Sequence, residues 1–352
     1  MLRIPDQIKT MAVLIVFALL AGCGSRAVVM YAERHPDAQT KVMYVVTQRA
    51  LGQANDNFGE ERNFGLNQFR AEVSIPPTHE VGEIEWPSGT PNAATDFVIT
   101  DSRLLRSKAE MMRNLNAERV GGETMMYVHG YNNSLSEAMY RFAQIKTDFE
   151  VPGPSVLFSW QSAGDPRGYV YDRDSVLFAR DDLVQTIRTV SAGDGHSVWL
   201  MAHSMGAQLT MEALRQIALS GQRDLLNRVS GVVLISPDID PDLFRSQVEA
   251  IGELPTPIAI FVSHTDRALG LASLITGRKE RLGVIDSPRH VEGLDVRVVD
   301  FTALSDGENG GHLVPVTAPG AVKVLRGLIA QQKAGQKPFG TYLVLEADIA
   351  DR

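Results

Sequence analysis

The chain lacks the means to form an intramolecular disulfide bond, because Cys23 is its only cysteine. It also lacks internal repeats and low-complexity runs. Of its 352 residues, 44% are hydrophobic and 22% are charged, which is an ordinary globular composition. This length and composition suit one large domain or two small ones.

An excess of positive charge is also missing. The formal net charge is −8, and residues 1–22 carry Arg3, Lys9 and Asp6, so the rest of the chain carries −9. An acidic chain is not attracted to phosphate backbones, and we therefore expect no nucleic-acid partner. The carboxylates of "SPDID" (236–240) stand without a compact His or Cys spacing, so we predict no metal and no cofactor.

The N-terminal apolar run is too short to cross a bilayer. Met11–Gly22, "MAVLIVFALLAG", follows Arg3 and Lys9 and would span about 18 Å as a helix, against about 30 Å of hydrocarbon. Its length is typical of a signal peptide. The sequence at 20–23, "LAGC", resembles a bacterial lipobox, in which the cysteine is lipidated and the preceding peptide is removed. The alternatives are an uncleaved N-terminal anchor or a buried cysteine.

This N-terminus predicts the location and the division of the chain. We expect a signal peptide at 1–22, a lipidated Cys23 and tether at 23–40, a single globular domain at 41–335 and a tail at 336–352. Acyl chains on Cys23 would hold the protein at a membrane of the bacterial cell envelope, facing the periplasm. Gly24, rather than Asp, follows the cysteine, and by resemblance to bacterial lipoproteins this favours the outer membrane.

Strands and helices alternate from Glu123 onwards, and the central strands are continuously apolar. This pattern predicts an α/β fold with a mostly parallel sheet and helices on both faces. The early strands, Lys41–Arg49 and Phe69–Pro77, have no strong helix between them and predict an antiparallel N-terminal edge. Residues 50–68 have the composition of a polar loop, and Ser102–Glu118 has that of a helix.

A candidate nucleophile lies where one apolar run meets a helix. Ala202-His203-Ser204-Met205-Gly206 matches the G-x-S-x-G nucleophile elbow, with alanine at the first glycine position. The elbow would place the Ser204 hydroxyl at the carboxyl end of a strand, where open parallel sheets bind ligands. The alternative is a serine that caps the helix with its side chain.

Such a serine needs a base and an orienting acid, in the chain order Ser, acid, His. Asp266 follows the run "IAIFV", and His312 lies in the Gly-rich loop after "DVRVVDF". Asp238 is the alternative acid, since it follows the preceding strand, although it could instead cap a turn. The other histidines after Ser204, His264 and His290, are better explained as loop or surface residues.

Two backbone N–H groups would form the oxyanion hole. One is expected from Met205, the residue after the nucleophile, and the other from Tyr131 in "VHGYNNS". His129-Gly130 matches the His-Gly pair that begins the oxyanion loop in many lipases and esterases. Ser134, at the end of the same loop, could cap the following helix.

Taken together, "YVHGYNNS", "LFSWQSAG", "LMAHSMGAQL" and "SHTDRAL" resemble a bacterial esterase/lipase-like branch of the α/β-hydrolase superfamily, long catalogued as a domain of unknown function. The resemblance covers residues 41–330. It implies the α/β-hydrolase fold, a triad of Ser204, Asp266 and His312, and an oxyanion hole at Tyr131 and Met205. It supplies no substrate.

The expected function is a lipid-anchored serine hydrolase that cleaves the carboxylic ester or thioester bond of a small-molecule or lipid substrate. An acyltransferase using the same acyl-enzyme, and a non-catalytic envelope-binding protein that retains the fold, are the alternatives. Oligomeric state cannot be predicted. Residues 267–290 are expected to form part of a rim or cap over the pocket. The helical spacing of Leu269, Leu271, Leu274 and Ile275 favours core positions over contacts with an acyl chain.

Overall fold

The computed structural model describes residues 30–51, 58–277, 279–305, 308–333 and 341–345. The predicted signal peptide and Cys23 lie outside these residues, as does most of the predicted tail. No helix within the described ranges is long and apolar enough to cross a membrane.

The described residues form ten strands. In chain order they are β1 (Gln39–Leu51), β2 (Phe58–Ile75), β3 (Val98–Leu104), β4 (Glu123–Val128), β5 (Ser155–Ser159), β6 (Ser197–His203), β7 (Val229–Ile235), β8 (Ile258–Val262), β9 (Val296–Asp300) and β10 (Tyr342–Val344).

Nine α-helices accompany the strands in the same ranges. They are α1 (Lys108–Glu118), α2 (Leu135–Asp148), α3 (Tyr169–Val190), α4 (Met205–Leu219), α5 (Arg223–Leu226), α6 (Pro241–Ile251), α7 (Arg267–Ile275), α8 (Val314–Thr317) and α9 (Pro319–Lys333). Single 3₁₀ turns lie at Leu282–Val284, Pro288–Val291, Thr302–Leu304 and Glu308–Gly311.

All ten strands belong to one sheet, in the order β10-β9-β8-β7-β6-β4-β5-β1-β2-β3. Pairing is parallel from β10 through to β1, whereas β1–β2 and β2–β3 are antiparallel. The predicted α/β class and the antiparallel N-terminal edge are therefore confirmed. The parallel strands all end at one side of the sheet, which we call the carboxyl edge, and begin at the opposite side, the amino edge.

Two hydrophobic clusters pack against the two faces of the sheet. One includes Leu200 of β6 with α3 and α4, and the other includes Met201 of β6 with α2 and α9. Neighbouring residues of a strand thus point into different clusters. This explains why the central strands read as unbroken apolar runs, since both of their faces are covered.

The chain before β1 lies against β3. Met30 accepts a hydrogen bond from the Ile99 N–H (2.9 Å), and Tyr31 forms a bridge to Ile99. Ile99 pairs with Val73, which pairs with Lys41 near the start of β1. Met30 is therefore held at the amino edge of the sheet.

Three local predictions differ from the structure. Residues 58–68, predicted as loop, belong to β2, because the backbone of this polar segment pairs with the end of β1 through register shifts near Arg49. Ser102, predicted as the start of a helix, lies in β3, and α1 begins only after Ser107, whose side chain caps it. The short strand β10 was not predicted; its three residues pair with β9.

Candidate active site

Ser204 occupies a tight turn between β6 and α4. Its backbone angles are φ 53° and ψ −121°, a conformation that few residues other than glycine adopt. The Ser204 N–H donates to the Ile235 carbonyl (2.9 Å), which fixes the turn to the end of the neighbouring strand. Ser204 stands at the N-cap position of α4, but its side chain makes no capping hydrogen bond. The alternative of a side-chain cap is therefore wrong.

Two glycines allow the backbone to pass close to this turn. A Cβ on Gly206 would lie 2.3 Å from the His129 carbonyl oxygen, and one on Gly130 would lie 3.0 Å from the Cβ of Ser204. Neither position tolerates a side chain, because backbone atoms or the elbow itself would have to move. The loop after β4 and the elbow after β6 thus require glycine at both of their facing positions.

Asp266 and His312 are in direct contact. His312 Nδ1 lies 2.6 Å from Asp266 Oδ2. The other oxygen, Asp266 Oδ1, accepts the Leu269 N–H (3.0 Å) and caps α7. The carboxylate is buried and held at both oxygens, so the orientation of the His312 ring is fixed by a rigid partner.

The His312 ring also lies beside the elbow. Its centroid is 4.6 Å from that of His203, the residue before Ser204. Burial holds the pKa of His203 well below its ordinary value, and the neighbouring His312 acts in the same direction. His203 is therefore a neutral, buried ring. Ser204, Asp266 and His312 follow β6, β8 and β9, and all three lie at the carboxyl edge.

The expected oxyanion donors belong to the residue after Ser204 and to the loop whose Gly130 passes close to it. Met205 is the first residue of α4, so its N–H belongs to a helix N-terminus, which favours negative charge. Tyr131 follows Gly130 in the loop between β4 and α2. Ser134 caps α2, donor and acceptor bonds with Glu137 forming a capping box.

Asp238, the alternative acid, has different partners. Its Oδ2 accepts the Tyr169 hydroxyl (2.9 Å), and Arg281 Nε lies 3.1 Å from its Oδ1, an ion pair without the alignment of a hydrogen bond. Burial raises the pKa of the Asp238 carboxyl, and the charge of Arg281 opposes this shift. Asp240 caps α6.

The sequence matches one known protein family. Residues 106–331, more than half of the chain, match the family described as "Alpha/beta hydrolase of unknown function (DUF900)". The chain belongs to this family of α/β hydrolases. No curated protein sequence matches it.

Several solved structures are similar to this α/β hydrolase over most of its length. A dienelactone hydrolase from Anabaena variabilis ATCC 29413 is 13% identical, with a TM-score of 0.38, and the match covers 85% of this chain and 98% of that one. Est1E from Butyrivibrio proteoclasticus is 9% identical, with a TM-score of 0.40, over 76% and 96% of the two chains. Esterase B from Lactobacillus rhamnosis is 13% identical, with a TM-score of 0.40, over 94% and 97%. Identities and scores this low carry no information about the substrate.

The α/β hydrolase contains a serine–histidine contact, away from Ser204, that the sequence did not reveal. Ser159 Oγ lies 3.2 Å from His129 Nε2, and both residues are fully buried. His129 Nδ1 donates to the Gly130 carbonyl (2.9 Å), and its ring stacks on Trp160. Burial, the largest cause, lowers the pKa of His129 to about 3. The pair is sealed from substrate and braces the strand ends under the site.

The remaining histidines after Ser204 have carboxylate partners of their own. His264 Nε2 lies 2.8 Å from Asp300, and His290 Nε2 lies 3.1 Å from Glu280. Both imidazoles are partly exposed, in keeping with loop positions. Across the described ranges, no group of three or more His, Cys, Asp or Glu side chains is arranged to hold a metal.

The expected core placement of the α7 side chains is wrong for three of the four. Leu269 is buried, but Leu271, Leu274 and Ile275 are 60%, 62% and 50% exposed. Helical spacing alone cannot tell whether an apolar face has a covering element, and here no described element covers it. Asp266 is the N-cap residue of α7, so the helix that carries this apolar face starts at the His312–Asp266 pair.

Proposed function

We propose that this α/β hydrolase is a serine hydrolase that cleaves carboxylic esters or thioesters through an acyl-enzyme on Ser204. The observation that carries the proposal is the 2.6 Å contact between His312 and the buried Asp266, beside a serine held at φ 53°. Backbone strain of this kind concentrates at functional sites.

In the first half of the reaction, Ser204 Oγ attacks the carbonyl carbon of the ester, and its proton passes to His312 Nε2. Asp266 accepts the Nδ1 proton of His312 in a hydrogen bond, which selects the tautomer that leaves Nε2 free to act as the base. The backbone N–H groups of Tyr131 and Met205 stabilise the oxyanion. His312 then donates its proton to the departing alcohol or thiol, and the acyl group remains on Ser204.

In the second half, His312 takes a proton from water as the water attacks the acyl carbon. Collapse of the second tetrahedral intermediate returns the proton to Ser204 Oγ and releases the carboxylic acid. The proposed substrate is a small-molecule or lipid ester. The proposed groups contact only its acyl carbonyl and do not select the alcohol or the acyl chain.

Labelling with a fluorophosphonate, followed by mass-spectrometric mapping, tests the nucleophile. We expect the label on Ser204 and loss of p-nitrophenyl ester turnover by about 10³-fold or more in Ser204→Ala. The matched control is Ser220→Ala, an exposed serine at the other end of α4, which should keep full activity. Wild-type turnover in Ser204→Ala would refute the proposal.

The location is a separate part of the proposal. Cys23 carries lipid and holds the protein at the periplasmic face of a bacterial envelope membrane, with the outer membrane favoured. Metabolic labelling with alkynyl palmitate should mark the wild type, and Cys23→Ser should lose both the label and sedimentation with membranes. Membrane retention of Cys23→Ser would contradict the anchor without affecting the proposed chemistry.

A further inference from the structure

The loop between β4 and α2 carries Tyr131, whose N–H is one of the two proposed oxyanion donors. The next residue, Asn132, has φ 58°, a left-handed conformation that turns the chain sharply. The position of the Tyr131 N–H therefore depends on what holds Asn132 and Asn133. Both are held by side chains from distant parts of the chain.

The first of these side chains is Asp172, in the first turn of α3. Its buried carboxylate accepts the Ser162 hydroxyl (2.6 Å), the Ala163 N–H (2.7 Å) and the Asn132 N–H (3.3 Å). Ser162 Oγ in turn accepts the Asn133 N–H (3.2 Å). Two consecutive amides of the loop are thus directed, one directly and one through Ser162, at a single carboxylate.

The second side chain is Arg49, near the end of β1. Its guanidinium is buried and donates through Nη2 to the Asn133 carbonyl (2.9 Å). Its Nε lies 3.4 Å from Ser159 Oγ, the hydroxyl that contacts His129. A negative group therefore holds the N–H side of the loop while a positive group holds its carbonyl side.

We propose that Asp172 and Arg49 are positioning residues that fix the 130–133 loop and so set the position of the Tyr131 N–H. Neither touches the reacting atoms. The inference rests on the proposed function for its effect on the reaction. The clamp itself is a statement about the loop backbone and is testable without any turnover.

Burial raises the pKa of the Asp172 carboxyl, while the hydrogen bonds from Ser162, Ala163 and Asn132 act in the opposite direction. Burial of the Asp172 carboxylate costs little free energy only while all three of these donors stay in place. Asp172→Asn keeps the shape of the side chain but turns one accepting oxygen into a donor. A donor facing Ser162 or Ala163 would push the loop out of position.

The decisive readout is amide hydrogen exchange of a peptide that spans residues 129–136. In Asp172→Asn we expect exchange at Asn132 and Asn133 to be about tenfold faster, since the acceptor of the Asn132 N–H changes and Ser162, the acceptor of the Asn133 N–H, loses its own acceptor. Asp174→Asn, an exposed aspartate in the same turn of α3, is the matched control and should exchange like the wild type. Unchanged exchange in Asp172→Asn would overturn the clamp, whatever the enzyme hydrolyses.

The kinetic readout separates positioning from simple stability. With p-nitrophenyl butyrate, we expect kcat in Asp172→Asn to fall about 10- to 100-fold, with KM within about threefold, because the loop acts on the transition state more than on the bound ester. Binding of butylboronic acid, whose adduct with Ser204 places an oxygen in the oxyanion hole, should weaken in parallel with kcat/KM. Binding of butyrate, which forms no such adduct, should not change.

A double variant tests whether the contacts act as one unit. Because Asp172 reaches Asn133 through Ser162, Asp172→Asn/Ser162→Ala should lose less kcat than the sum of the losses in Asp172→Asn and Ser162→Ala. Additive losses, or equal weakening of butyrate and butylboronic acid, would overturn the positioning role. Faster exchange in the 129–136 peptide without fluorophosphonate labelling of wild-type Ser204 would instead uphold the clamp and reject the proposed function.

Discussion

Asp266 and Asp238 are two buried carboxylates at the ends of neighbouring strands, and the chain uses them differently. Asp266, after β8, divides its two oxygens between His312 and the first turn of α7. Asp238, after β7, faces Arg281 and the Tyr169 hydroxyl. One carboxylate orients a base that can gain and lose a proton, whereas the other neutralises a guanidinium that stays charged.

Under the proposed function, this difference separates an acid that assists a base from one that stabilises the fold. Burial and strand-end position are shared by both residues and therefore decide nothing. The partner decides, because an imidazole changes its charge during a reaction and a guanidinium does not.

The largest effect is expected from Asp266→Asn. The amide oxygen can still cap α7, but the NH₂ group can no longer accept the Nδ1 proton of His312, so the wrong tautomer is favoured. We expect kcat for p-nitrophenyl esters to fall about 10³- to 10⁴-fold, with the midpoint of thermal unfolding nearly unchanged. If Asp266→Asn instead lowers the unfolding midpoint while its folded fraction keeps the wild-type kcat, Asp266 is a structural residue like Asp238.

Asp238→Asn should show the opposite pattern. Removing the charge leaves Arg281 buried beside a neutral amide, and we expect the free energy of unfolding to fall by about 3–5 kcal/mol. Urea denaturation measures this loss, with Asp194→Asn as the exposed-aspartate control. A folded, stable Asp238→Asn with kcat reduced 10³-fold would exchange the roles of the two acids.

Removing both members of the buried ion pair should restore part of this stability. In Asp238→Asn/Arg281→Met the unpaired guanidinium is gone, so the total loss should be smaller than the sum of the single losses by about 1–3 kcal/mol. The same urea measurements on the four proteins of the cycle give the coupling. Strictly additive losses would mean that the 3.1 Å contact contributes nothing.

The smallest effect is expected from Tyr169→Phe. It removes one hydroxyl that donates to Asp238 and accepts from Arg281 (3.3 Å), and we expect a loss of about 1 kcal/mol in the free energy of unfolding. Tyr171, a partly exposed tyrosine two residues further along α3, provides the control: Tyr171→Phe should differ little from the wild type. A loss larger than that of Asp238→Asn would mean that the Tyr169 hydroxyl, rather than the Asp238–Arg281 ion pair, contributes most to stability.

The sequence was enough to predict the fold class and the positions that meet near Ser204, because strand ends in a parallel sheet collect at one edge. Asp266 and His312 were therefore accessible to reasoning from chain order alone. Their catalytic roles stay predictions. Asp172 and Arg49 were not found, since the carboxylate lies 40 residues from Asn132 and the guanidinium lies 84 from Asn133, with no local spacing to mark either contact.

The other misses have equally physical causes. Leu271, Leu274 and Ile275 have the spacing of a core-facing helix, but nothing in the sequence states whether another element lies opposite. Residues 58–68 are polar because their strand runs along the outer part of the sheet, and backbone pairing rather than apolar alternation makes them a strand. Three residues of β10 are too few for a periodicity to show.

The position of Met30 determines which way the molecule faces if Cys23 carries lipid. Seven peptide steps separate Cys23 from Met30, and a chain of that length reaches at most about 25 Å. Met30 is tied to Ile99 at the amino edge of the sheet, whereas Ser204 is at the carboxyl edge. The lipid tether would then leave the domain at the amino edge, and the proposed reaction site would be on the side of the sheet away from this attachment point. Such an enzyme would bind esters from the periplasm or from an opposing surface, and the membrane that anchors it would not be its source of substrate.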